Sequence, residues 1–179
     1  MRLKLPLSIT ILLVTLVTVL AMVNWDIYQK EQQLAHGKIV RLALAPVDPR
    51  SLMQGDYMSL NYAIAAPLSS LVEMETGQGL LQVGLDHNLV ASLVSVDEEA
   101  GTDALKQIAL NQGDTKATDE IINIQYRVRH NQVKFASNAY FFEEGQAKRY
   151  EAAKYGQFRV NELGALLLES LLDKDFKPL

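Results

Sequence analysis

Nineteen consecutive residues, Leu5 to Val23, carry no charged side chain and are predominantly apolar. At about 1.5 Å of rise per helical residue the run reaches roughly 28 Å, close to the ~30 Å hydrocarbon core of a bilayer. It predicts a membrane anchor, with everything else folded as a separate domain downstream. A cleaved secretory signal has a shorter apolar core and a small-x-small cleavage site. Ala21-Met22-Val23 followed by Asn24-Trp25-Asp26 makes a poor one, so an uncleaved anchor is the favoured reading.

Charge sets the expected orientation, because Lys and Arg flanking a span are retained on the cytoplasmic side. Arg2 and Lys4 precede the run, whereas Asn24 to Glu31 holds Asp26, Lys30 and Glu31, net minus one. Trp25 and Tyr28 fall where the helix would emerge and suit the headgroup region. The expectation is a single pass through the cell inner membrane, amino terminus cytoplasmic and the rest periplasmic. Residues 1–24 read as the anchor, 25–37 as a helical stalk stopped at Gly37, and 38–179 as one β-rich domain.

Removing the contributions of Arg2 and Lys4 from a formal charge of −4 leaves −6 on Leu5 to Leu179. No basic cluster stands out to neutralise several phosphates, so nucleic acid is a poor partner. Cysteine is absent, which removes disulfides, thiol nucleophiles and thiolate metal sites. His36, His87 and His130 show no ligand spacing. No cofactor is implied.

Beyond Gly37 the hydrophobic period changes from helical to two-residue, predicting a strand from Lys38 through Ala45. Pro46 to Gly55 then reads as a short helix capped by Asp48, Pro49 and Gly55. From Asp56 to Ile64 a strand is expected, with Met58, Leu60, Tyr62 and Ile64 on its apolar face. Further strands are predicted at Leu80–Leu85, Leu89–Val96, Ile108–Leu110 and Ile121–Arg129, with Asp97–Thr102 and Asn111–Thr118 as loops. His130-Asn131 reads as a tight turn from which Val133 to Phe142 runs back as a hairpin. Glu143 to Tyr155 reads as a helix ended by Gly156. Gln157–Val160 and Ala165–Leu172 are read as a closing hairpin in preference to one helix over Glu162–Leu172, because Gly164 falls where a turn needs it. The fold class is mainly β, an α+β arrangement of one apolar helix and one β-rich domain with one or two short helices.

Gly55-Asp56-Tyr57, Leu60 and Tyr62 spell GDYxxLxY, and the chain here resembles the bacterial GDYXXLXY proteins. The preceding VDPRSLMQ, the later FFEEGQAKRYEAAKYGQFRV and the terminal ALLLESLL extend the likeness over nearly the whole chain. The resemblance implies a membrane-anchored envelope protein, working beside a polytopic membrane protein, and no reaction. A weaker likeness links Leu52-x-x-Gly55-Asp56-Tyr57-x-x-Leu60-Asn61 to type I signal peptidases. Their Ser nucleophile is missing at the matching Pro46, Val47 and Asp48, which makes this chain at most a degenerate relative.

Asp56 and Glu144 are the candidate carboxylate pair for a hydrolase, one protonated and one ionised. The plainer reading has Asp56 bound at the corner, to backbone N–H groups or to Arg50, and has Glu143 and Glu144 at a helix start. Tyr57, Tyr62, Tyr150 and Tyr155, rimmed by Arg50, Asp56, Glu144, Gly145 and Glu151, form a candidate cluster, either a hydrogen-bonded brace or a recognition surface. The favoured function is a non-catalytic anchored module binding a membrane-protein partner. An envelope hydrolase using Asp56 with Glu144, and a sensor for a small molecule, are the alternatives.

Overall fold

A computed structural model describes residues 7–45, 57–69, 76–96, 120–130 and 132–179. The predicted capped corner at Pro46–Gly55, the strand at Ile108–Leu110 and the loops flanking it lie outside these residues. The chain divides between His36 and Gly37 into two compact units. In order, the elements are α1 (Leu7–His36), β1 (Lys38–Ala43), β2 (Tyr57–Ser59), α2 (Ala65–Ser69), β3 (Thr76–Leu85), β4 (Ala91–Val96), β5 (Glu120–Arg129), β6 (Gln132–Lys134), β7 (Ala139–Phe141), α3 (Ala147–Tyr150), β8 (Tyr155–Val160) and β9 (Leu166–Leu172). The fold is mainly β behind one long apolar helix.

Helix α1 is long and apolar enough to cross a membrane. Its apolar side chains are exposed on every side, among them Leu12, Leu13, Val14, Leu16 and Val17, a pattern compatible with a membrane anchor. Three polar side chains in and just after the apolar run bond back to the helix itself: Thr15 Oγ1 donates to the Ile11 carbonyl at 3.0 Å, Thr18 Oγ1 to that of Val14 at 2.8 Å and Asn24 Nδ2 to that of Leu20 at 2.8 Å.

Among the described residues the globular unit holds three ladders, β1-β8-β9, β2-β7 and β4-β3-β5-β6, and every pairing within them is antiparallel. Alternation along the strands gives each larger sheet one apolar face. Val40 and Leu42 of β1, with Phe158 and Val160 of β8, meet Leu81 and Val83 of β3 and Ile122 and Ile124 of β5 in one core. Backbone hydrogen bonds tie the two larger sheets to each other: the Arg41 N–H donates to the Leu89 carbonyl at 2.8 Å, and the Gln125 N–H to the Gly164 carbonyl at 2.8 Å.

The closing hairpin forms as read, and its turn is one of three with the same construction. Asn161 Oδ1 accepts the Leu163 and Ala165 N–H groups, Asp86 Oδ1 those of Asn88 and Val90, and Asp173 Oδ1 those of Asp175 and Lys177. In each the fourth residue is left-handed: Gly164 at φ +79°, Leu89 at +60° and Phe176 at +60°. That conformation costs a residue bearing a Cβ roughly 1–2 kcal/mol. Leu89 offsets it by packing on the core, and Phe176 by a tilted ring contact with Tyr155, centroids 4.8 Å apart.

Three sequence expectations need correction. The strand expected over Asp56–Ile64 is only Tyr57–Ser59, after which Tyr62 pairs singly with Leu44 and the chain turns into α2. Val133 to Phe142 is not one return strand: β6 pairs with β5 over three residues, and β7 leaves to pair with β2, Met58 opposite Tyr140. The Leu60 N–H, which donates to the Asn138 carbonyl at 2.8 Å, continues that second pairing. A distant strand thus takes the half that the local pattern assigned to the hairpin. The helix expected over Glu143–Tyr155 is only Ala147–Tyr150. Gly145 is left-handed at φ +83°, and Lys154 is already committed to the sheet, its N–H to Leu172 and its carbonyl to the Leu44 N–H, both at 2.8 Å.

Candidate functional site

The residues that drew attention in the sequence separate into core and surface. Asp48, Arg50, Gly55 and Asp56 lie outside the described residues. Leu60 and Tyr62 are buried, at 2% and 3% exposure. Tyr62 meets Phe135 and Phe158 edge-on, each at 5.7 Å between centroids. Its hydroxyl donates to the Ser137 carbonyl at 2.7 Å, and burial raises its pKa well above the ordinary tyrosine range. A backbone carbonyl, which no side-chain pattern advertises, is therefore the partner of this phenol. Tyr57 sits directly opposite Phe141, 5.7 Å between ring centroids, and Phe141 is 76% exposed.

Tyr150 is buried between Tyr140 and Phe142, at 5.1 and 5.0 Å, with the Arg149 guanidinium 5.8 Å from its ring centroid. Burial, then a hydrogen bond with the Tyr150 hydroxyl, raises the pKa of Tyr140. Tyr155 belongs with Phe176 on the outer side of β8. The four tyrosines of the sequence cluster thus fall into four ring groupings along the fold. Glu144 and Gly145 occupy the exposed turn before α3, and Glu151 the exposed turn after it.

A concavity among the described residues lies elsewhere. Gln78, Gly79 and Leu80 of β3 and Gln125, Tyr126 and Arg127 of β5 form one side of a groove of about 700 Å³. Lys134, Phe135 and Ala136 close one end, and Leu163, Ala165 and Leu166 of the β8–β9 hairpin the other. The size is within the ~300–1,000 Å³ of ligand clefts. Its walls are tied together: Gln125 Nε2 donates to the Leu163 carbonyl at 2.9 Å, and Arg127 Nη2 to that of Ala136 at 3.1 Å.

Two glycines allow this shape. A Cβ on Gly79 would stand 2.8 Å from the Tyr126 ring, and one on Gly164 would stand 2.9 Å from the Asn123 carbonyl oxygen. A strand glycine marks close approach, so Gly79 was a signal present in the sequence. What it approaches was not, since the walls are drawn from residues 78 to 166. Arg127 and Lys134 are register partners across β5 and β6, and among the described residues no acidic one lines the groove.

No curated protein and no solved structure matches the chain. The family model described as GDYXXLXY protein matches residues 19–171, from within α1 to the penultimate residue of β9, and takes in Tyr57, Leu60 and Tyr62 at the places described above. Since that match covers most of the chain, the protein belongs to the GDYXXLXY family.

Proposed function

We propose that this is a single-pass protein of the cell inner membrane whose periplasmic β domain is a non-catalytic binding module for another membrane protein. The apolar helix supports the anchoring, and Arg2 and Lys4 before it support a cytoplasmic amino terminus. The groove carries the binding reading: it is concave, tied at both ends by hydrogen bonds, and lined by apolar, amide and cationic groups, the mixture found in ligand sites. Glu144, the described member of the hydrolase pair, stands on an exposed turn on other elements than those lining the groove.

The test is a photo-crosslinking residue placed at Leu163, which is 75% exposed on the groove rim, in the full-length protein. One membrane protein is expected to crosslink from that position and not from Glu151. Hydrolysis of a peptide, ester or glycan substrate that Glu144→Gln abolishes would replace this reading with the hydrolase. A reporter enzyme fused after Leu179 should be active outside the cytosol only, and cytosolic activity would overturn the topology.

A further inference from the structure

We infer that the groove takes an extended, acidic peptide segment, a proposal that rests on the binding-module reading and assigns the chemistry of its partner. Arg127 and Lys134 face each other directly across an antiparallel ladder, an arrangement that destabilises a sheet when both carry the same charge. Two places along β5 in the same register, Arg129 adds a third cation to the same face, opposite Gln132. Among the described residues no carboxylate forms an ion pair with any of the three, and the ion pairs that do form, Lys38 with Glu120 and Arg159 with Glu169, lie away from the groove. A chain of net charge −4 thus gathers cations on one concave surface where, among the described residues, no carboxylate compensates them. A carboxylate-bearing occupant relieves the repulsion and forms charge-assisted hydrogen bonds with the same groups.

The other lining groups select a peptide among anions. Gln78 and Gln125 carry both donor and acceptor, and the Gln125 Nε2 is already engaged with Leu163, leaving its Oε1 to accept a peptide N–H. Leu80 and Leu166 offer apolar contact between the polar positions. A headgroup at a lipid surface needs neither the amides nor the apolar positions.

The experiment uses the full-length chain in nanodiscs of phosphatidylcholine, titrated with fluorescein-labelled octapeptides alternating Glu with Leu or Lys with Leu. The Glu peptide is expected to bind and the Lys peptide not to, with affinity falling as salt rises. Arg127→Gln combined with Lys134→Gln should weaken binding about tenfold or more, with an unchanged or raised melting temperature showing that the fold is intact. Equal binding of the two peptides, or equal affinity of parent and double variant, would overturn the proposal. Displacement of the Glu peptide by phosphatidylglycerol vesicles, or by inorganic phosphate, would reassign the groove to a phosphate group and sink the peptide. A crosslinked membrane protein from Leu163 without Glu-peptide binding overturns the acidic chemistry and leaves the module standing. Glu-peptide binding without such a crosslink does the reverse.

Discussion

The outer faces of the two larger sheets share the same alternating pattern and use it differently. On β1-β8-β9 every cation has partners. Arg41 Nε donates to Gln157 Oε1 at 3.1 Å and Nη1 to the Asn88 carbonyl at 2.8 Å, while its guanidinium lies 4.9 Å from the Phe176 ring centroid. Gln157 Nε2 passes the chain on to Glu169 at 3.0 Å, and Arg159 grips the same carboxylate at 2.9 and 3.1 Å. The bulge between Gln157 and Phe158, where Ser170 and then Leu168 are the partners, leaves Glu169 as the extra residue that Arg159 and Gln157 meet. On β4-β3-β5-β6 the cations Arg127 and Lys134 confront one another instead. One surface pairs its cations with a carboxylate or a ring, whereas on the other, among the described residues, Arg127 reaches only the Ala136 carbonyl and no carboxylate.

The largest expected effects test whether the two sheets share one core beneath these unlike surfaces. Phe158→Ala should cost about 3–5 kcal/mol and Ile124→Ala about 2–5 kcal/mol in chemical denaturation, since both side chains are fully buried. A large loss in only one would mean that the sheets are stabilised separately. Next comes Arg41→Ala, expected to cost about 1.5–3 kcal/mol because it releases Gln157, the Asn88 carbonyl and the Phe176 ring together. If Arg127→Ala costs as much, the contrast between the two faces is wrong.

A smaller effect should appear with pH. Hydrogen bonds from Arg159 hold Glu169 below its ordinary pKa of 4.5, against the upward pull of burial. A depressed carboxylate stabilises the fold above its unfolded-state pKa and loses that contribution as pH falls through the folded-state value. Thermal melts should therefore show Glu169→Gln less stable than the parent at pH 7, by up to about 1 kcal/mol for a partly exposed pair, with the gap closing toward pH 3. A gap independent of pH would remove the ion pair from the account. Smallest of all, Lys134→Glu replaces repulsion with attraction opposite Arg127 and should stabilise by a few tenths of a kcal/mol. A loss of stability there would show that the cations are not in conflict.

Local signals made part of this molecule legible. The apolar run predicts α1 because every position in it tolerates lipid. The alternation of Val40 and Leu42 with Ile39 and Arg41 predicts β1 because strand side chains point to opposite faces in turn. The closing hairpin could be read from Asn161 and Gly164, whose turn is stabilised within five residues. The split of Val133–Phe142 could not be read, since both halves look like strand and only β2, some eighty residues earlier, decides which sheet receives the second. The groove was equally hidden. Gly79 was visible in the sequence, but its partner Tyr126 is chosen by the β3–β5 register.

By itself, then, the sequence determined the apolar helix, the mainly β class and the turn from Asn161 to Gly164, because each depends on side chains and dihedral angles only a few residues apart. Tertiary structure alone decided that the Tyr62 hydroxyl meets a backbone carbonyl, that Tyr57 faces outward while Leu60 and Tyr62 face in, and that Arg127 and Lys134 share a groove with a hairpin from the far end of the chain. Those outcomes depend on which strands pair, and pairing is settled by the burial of one common core across long separations, which no local period records.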